Sequence, residues 1–231
     1  VAAVLDGLGT GCSATTSPPK SVTLDLDAIL LSADQINIVM GASGMQPGTI
    51  GRAPLHPTFS LSYPDCSGTL TVAEDSVYAG SGYTAVREQR LQEPGNDRQH
   101  LVGQAAVGFP SADQASAFVK SSADNWRACT TKTVTQTDAD GTTVRWIVGN
   151  LSGADPRIVQ GHSHTDPADG WSCQHVLAAV SNIVLDSDAC GYHITGEGNQ
   201  LDDKMTANIT KYPEEQGNSL LSKTVTPLVR R

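Results

Sequence analysis

The sequence has no run of lysine or arginine. Its 15 basic side chains stand against 24 acidic ones, giving a formal net charge of -9 and no electrostatic footprint for a phosphate backbone. Nucleic acid is therefore not an expected partner. No segment approaches the ~18 consecutive apolar residues that a membrane-spanning helix needs. Charged residues, at 17%, are too few for a coiled coil, and the 39% hydrophobic fraction is too high for a disordered chain. C-x-x-C pairs are missing, which disfavours zinc ribbons and thioredoxin-like redox sites. So are G-x-S-x-G, the P-loop, G-x-G-x-x-G and H-E-x-x-H. Gly80-Ser81-Gly82 and Gly41-Ala42-Ser43-Gly44 miss the nucleophile spacing and read as turns. The carboxylate pairs Asp202-Asp203 and Glu214-Glu215 point about 100° apart on a helix, so neither converges on a substrate. No enzymatic activity, cofactor or metal site is expected.

What is present suits one domain: 231 residues suffice to bury a self-supporting core. Four cysteines, Cys66, Cys129, Cys173 and Cys190, lie in its body and allow three connectivities. The economical pairing is Cys66–Cys129, tying a segment before a short helix to the end of a longer one, and Cys173–Cys190, linking two neighbouring strand-like runs. Loops of that length contribute about 4 and about 3 kcal/mol respectively on the chain-entropy account. Such crosslinks persist outside the cytosol. His162-Ser163-His164, followed by Asp166 and Asp169, has the look of a metal loop but has no cysteine near it in sequence, so it reads as a polar strand end. The fifth cysteine, Cys12, follows Gly11 and precedes the Ser/Thr/Pro stretch Ser13–Pro19, as at a bacterial lipoprotein junction. Gly9 in place of the usual leucine, and Asp6 in the apolar stretch, depart from that pattern. Cys12 is the expected lipidation site.

Residues 1–20 read as a leader and linker, 21–212 as the domain, and 213–231 as a C-terminal tail. Ser32-Ala33-Asp34-Gln35 and Ser111-Ala112-Asp113-Gln114 match the capping box, so each predicts a helix start. The second opens a stripe of Ala115, Phe118, Val119, Ser122, Trp126 and Cys129. A short helix is predicted near Thr71–Tyr78 and a final amphipathic one over Gln200–Lys211, with a long Gly/Pro-rich loop over Gly41–Pro57. Strands are predicted over Tyr83–Gln92, Leu101–Phe109, Thr131–Gln136, Thr142–Asn150, Arg157–His164, Trp171–Val180 and Asn182–Asp188. Asp140-Gly141 predicts a type I′ hairpin, and Ser181-Asn182 either a turn or a bulge. Trp126 and Trp171 each stand beside a half-cystine, where burial of the indole against the disulfide is expected and lining of a groove is the alternative. This order predicts an α+β domain: an antiparallel β-sheet with packed helices and two disulfides.

The motif series Tyr63-Pro64-Asp65-Cys66, Tyr78–Tyr83, Phe109–Ala112, Trp126–Cys129, Gly170–Gln174, Asn182–Asp186 and Ala189–Tyr192 resembles the PknH-type extracellular sensor domain over residues 25–210. That module forms the outer part of a mycobacterial serine/threonine kinase and also occurs in envelope lipoproteins without a kinase. The resemblance implies an α+β fold, the disulfide pairing given above, and a cleft for an unidentified ligand. With Cys12 ahead of its linker, the chain is more similar to the lipoprotein members. The expected function is a non-enzymatic, extracytoplasmic sensor of the cell envelope, held at the membrane by lipid alone and binding a small-molecule or envelope ligand. A protein-interaction module and an undetected hydrolase are the rivals. Tyr83, Arg87, Gln104, Gln174, Asn182 and Tyr192, polar or amphipathic residues on expected strands, are the candidate ligand contacts.

Overall fold

Two serines set where the first long helices begin. Ser32 and Gln35 close a reciprocal capping box, Gln35 N–H donating to Ser32 Oγ (3.3 Å) and Ser32 N–H to Gln35 Oε1 (2.9 Å), and α1 (Ala33–Met40) follows. Ser111 Oγ accepts from Gln114 N–H at the start of α3 (Ala112–Cys129). The computed structural model describes residues 25–95, 98–166 and 170–221. The leader and linker of 1–20, including Cys12, and Asp169 lie outside the described residues, as does the chain after Leu221.

The remaining elements are β1 (Gln46–Pro47), β2 (Phe59–Leu61), a 3-10 turn (Pro64–Thr69), α2 (Asp75–Tyr78), β3 (Ala85–Gln92), β4 (His100–Gly108), β5 (Thr133–Asp138), β6 (Thr143–Ala154), β7 (Arg157–His164), β8 (Trp171–Val180), β9 (Ile183–Tyr192) and α4 (Glu197–Leu221). All nine strands form one sheet in the order β1-β3-β4-β9-β8-β7-β6-β5-β2, and every neighbouring pair is antiparallel. The predicted α+β class and both disulfides are present, Cys66–Cys129 and Cys173–Cys190.

The sheet is covered on both sides along its middle, so its inner strand β9 is buried along nearly its whole length. On one face α1 and α4 deliver Ile36, Met40, Leu201 and Met205 onto Val102, Ala106, Leu185 and Ala189. On the other, α3 brings Ala115, Val119 and Trp126 onto Val107, Ile158, Leu177 and Val184, with Tyr78 and Phe109 alongside. Beside it, the Cys66–Cys129 bridge packs on Val134 and Val148.

Four local expectations change. The Asp140-Gly141 hairpin is not type I′: Gly141 (φ 85°), not Asp140, takes the positive φ and donates to the Asp138 carbonyl, the three-residue form with a type I turn. Asp140 is held there because its carboxylate accepts Thr142 N–H at 2.8 Å. The helix near Thr71 starts only at Asp75, because Ala73 adopts φ 51° and gives its N–H to Asp186. Part of the 41–57 loop joins the sheet edge as β1, with Gln46 opposite Gln92. Finally, α4 continues past Pro213 to Leu221, where a tail is expected. One proline removes one intrahelical bond, and the good helix formers Glu214, Glu215 and Gln216 follow it.

A cleft over the Cys173–Cys190 bridge

The register lays side chains from neighbouring strands in rows across the face that carries α3. One row runs Val148, His162, Cys173, Cys190, Leu101; the next runs Gln160, His175, Asp188, Gly103, Arg90; a third runs Ile158, Leu177, Asp186, Ala105, Glu88. Where α3 stops covering the sheet, His162, Cys173, Cys190 and Leu101 of the first row and Asp188, Gly103 and Arg90 of the second floor a cleft of about 500 Å³. Its outer wall is the segment Leu55–Phe59 together with Leu70–Val72, and Trp146, His164 and Trp171 flank it. Gly103 leaves the gap into which Val72 fits: a Cβ there would sit 3.0 Å from Val72 Cγ2.

The outer wall is anchored from beneath. Asp186 Oδ2 accepts from Ala73 N–H (2.9 Å) and from the Tyr78 hydroxyl (2.8 Å), while its Oδ1 lies 2.6 Å from His175 Nε2. Burial alone pushes the His175 imidazole down, but Asp186 and Asp188 outweigh it and the net shift is upward, so His175 and Asp186 form an ion pair in the interior. Trp126 lies against His175, with ring centroids 4.7 Å apart.

The floor itself is different in kind. His162 Nδ1 and Asp188 Oδ1 are buried and have no hydrogen-bond partner. Burial holds His162 down at about 3, helped by the charges of His175 and His164, so it is neutral. Burial pushes Asp188 up to about 7; the His175 and Arg90 cations pull it back and Asp186 pushes it further up. His162 Nε2 stands 3.6 Å from Asp188 Oδ2, which is in turn 3.4 Å from Cys190 Sγ. Donor atoms of His162, Cys173, Asp188 and Cys190 all lie within 4.8 Å of one another. With the two sulfurs joined to each other, this group is a disulfide in a polar pocket and not a metal centre. At the far side Glu88 is raised by burial, its side chain seated on Gly51.

Along the rim the aromatic rings form a line. Trp146 meets His162 and His164 edge-on (5.0 and 4.4 Å), His164 faces Trp171 (6.4 Å), and Trp171 meets Tyr192 edge-on (5.3 Å). Trp146 Nε1–H donates to Gln136 Oε1 at 3.2 Å. A second groove of about 750 Å³ runs between α3 and residues 64–81, but small neutral side chains such as Ser67, Gly68, Ser121 and Asn125 dominate its lining. Its size carries no chemistry comparable to the smaller cleft.

None of the six residues expected to touch a ligand lines this cleft. Arg87, Gln104 and Gln174 lie on the opposite face of the sheet. Arg87 pairs with Asp27; Gln104 binds the Leu31 backbone through both N–H and C=O; Gln174 Oε1 accepts Asn199 N–H at the start of α4. Asn182 donates to the Phe109 carbonyl from the β8–β9 turn, and Tyr83 packs edge-on against Tyr78. Tyr192 reaches the cleft only through Trp171. No cysteine is near His162 in sequence, but the sheet makes Cys173 its cross-strand partner. Trp171 is half-buried and lines the cleft beside Cys173; of the two half-cystine tryptophans only Trp126 is fully enclosed.

Helices on both faces of an antiparallel sheet and two internal crosslinks define a disulfide-stabilised α+β domain. The chain belongs to the PknH-like extracellular domain family, which matches residues 23–208. Over 195 residues, 84% of this chain, it is 41% identical to the serine/threonine-protein kinase PknH of Mycobacterium bovis, where the matched region is 32% of the kinase. The Mycobacterium tuberculosis kinase of the same name matches at 41% identity over 31% of its length. The chain thus spans about a third of the length of the curated relatives it matches. The crystal structure of the extracellular domain of PknH from M. tuberculosis superposes with a TM-score of 0.77 at 41% identity, covering 80% of this chain and 95% of that one. The similarity therefore falls on an extracellular domain. No helix among the described residues is long and apolar enough to cross a membrane.

Proposed function

We propose that this domain is a non-enzymatic extracytoplasmic sensor of the cell envelope, that it holds a small ligand in the cleft over Cys173–Cys190, and that lipid on Cys12 tethers it. The observation that carries the reading is the pair of unpartnered buried atoms, His162 Nδ1 and Asp188 Oδ1, in a cleft flanked by Trp146 and Trp171. Leaving such groups unpaired costs about 1–3 kcal/mol each, a cost a ligand that bonds to them would remove. Indole faces beside a few convergent polar groups suit a compact molecule with one apolar face and a polar edge, such as a sugar ring.

Two further observations favour this reading over its rivals. His175 and Asp186 are both buried and neither lines the cleft, so the pair does not face a substrate held there, which argues against hydrolysis. Among the described residues only four large apolar side chains are exposed, Ile38, Tyr63, Ile147 and Tyr192, which is few for a protein-docking face. A thermal-shift screen of the purified domain against envelope glycans, lipids and metabolites tests the proposal. A ligand at 100-fold its dissociation constant adds about 2.7 kcal/mol of stability. A flat response to every class counts against ligand binding. Intact-mass measurement of the native protein tests the lipid on Cys12.

A further inference from the structure

We propose that the cleft floor is a latent metal site: reduction of Cys173–Cys190 lets His162, Cys173, Asp188 and Cys190 bind one thiophilic divalent cation, Zn²⁺ being the best fit. The inference does not depend on the cleft also holding an organic ligand.

The geometry is what points to it. The four residues come from three adjacent strands, β7, β8 and β9, and three of them sit in one cross-strand row with Asp188 two residues from Cys190. Their donor atoms already lie within 4.8 Å of one another. A tetrahedral zinc with Zn–S about 2.3 Å and Zn–N and Zn–O about 2.0 Å has edges of about 3.3 to 3.8 Å. The His162 Nε2 to Asp188 Oδ2 distance of 3.6 Å and the Asp188 Oδ2 to Cys190 Sγ distance of 3.4 Å fall in that range. Once the sulfur–sulfur bond is gone, the remaining edges need only side-chain rotation of the two cysteines, while the sheet holds the backbone. Two thiolates, an imidazole and a carboxylate are a donor set for zinc; calcium and magnesium require oxygen ligands.

The chemistry balances with a thiol reductant. A dithiol transfers two electrons and two protons to Cys173–Cys190, becoming a cyclic disulfide and leaving two thiols. The metal ion then displaces both thiol protons to solvent, along with the Asp188 proton where that carboxyl is protonated. The sulfurs line the cleft, so a reductant approaches through the same opening as a ligand. No hydrogen-bond partner occupies His162 Nδ1, so engaging the ring as a ligand breaks no existing bond at that atom.

The test uses the full chain, reduced anaerobically with a phosphine, which adds no competing thiol, and titrated with Co²⁺ and then Zn²⁺. One equivalent of Co²⁺ should give a near-ultraviolet thiolate-to-cobalt band with intense tetrahedral visible absorption, bleached by Zn²⁺. The oxidised protein should show neither. His162→Ala and Asp188→Asn should each weaken binding by at least about tenfold. The reduced Cys173→Ser/Cys190→Ser variant, which keeps Cys12, Cys66 and Cys129, should give no thiolate band. A missing band in reduced wild type overturns the proposal. So does the same band in the double serine variant, or undiminished affinity in both His162→Ala and Asp188→Asn, which would mark binding by unstructured thiols.

Discussion

Asp186 Oδ1 lies 2.6 Å from His175 Nε2, and both side chains are buried at the centre of the sheet. The same carboxylate fixes Ala73 and Tyr78, so one buried charge pair on two inner strands holds the outer wall of the cleft. Asp186→Asn leaves His175 without its counter-ion and should cost about 3–5 kcal/mol in urea unfolding. Tyr78→Phe removes one donor and leaves the pair intact, so its expected cost is smaller, about 1–3 kcal/mol. Because the folded-state value of His175 is raised, the stability it contributes is complete below its ordinary value of 6.5 and is lost as pH rises through the folded value. The wild-type unfolding free energy should therefore decline above neutrality by more than that of Asp186→Asn.

The two disulfides differ in the loop they close, 63 residues for Cys66–Cys129 and 17 for Cys173–Cys190. Replacing the first pair with alanine should cost about 4 kcal/mol and the second about 3 kcal/mol, read as denaturation midpoints at constant m. The shorter-loop variant should keep its far-ultraviolet spectrum, since the β8–β9 ladder is independent of the bridge.

Asp202 on α4 is buried beside Arg157, and burial raises its carboxyl to about 6, Arg157 pulling it down and Asp203 pushing it up. A folded-state value raised from 3.8 means that its contribution to stability is greatest below pH 3.8 and is lost as pH rises through about 6. Asp202→Asn should therefore be more stable than wild type by up to about 3 kcal/mol at pH 7, and close to it at pH 4. Thermal unfolding at the two pH values checks the sign.

Trp126 fills the space between α3 and the sheet, while Trp146 and Trp171 are half-buried on the cleft. Trp126→Ala should cost about 3–5 kcal/mol of stability. Trp146→Ala and Trp171→Ala should cost markedly less in chemical denaturation and should act instead on ligand affinity.

Much of the fold is legible in the sequence because its signals are local. The capping serines fix α1 and α3, and Val/Thr-rich runs give seven strands to within a few residues. Arg157–His164 and Trp171–Val180 come out as predicted, and the cysteine positions suggest the staples. The cleft is less legible because it depends on register and on which face a helix covers. In a strand, a shift of one residue moves a side chain to the other face. Arg87, Gln104 and Gln174 sit one residue from Glu88, Gly103 and Cys173, and that parity places them against α4 and the 26–31 segment instead of the cleft. The likeness of His162 to a metal ligand becomes meaningful only when β7 and β8 align it with Cys173. A legible hint was the spacing Trp171-x-Cys173, which puts an indole and a half-cystine on the same face of one strand.

The claim that the cleft is the binding site is tested most directly by the three tryptophan indole N–H signals in a ¹⁵N-labelled sample titrated with any ligand that stabilises the domain. The expected result is that the signals of Trp146 and Trp171 move together and saturate while that of Trp126 stays in place. Saturating binding that shifts only Trp126, or none of the three, would contradict the account.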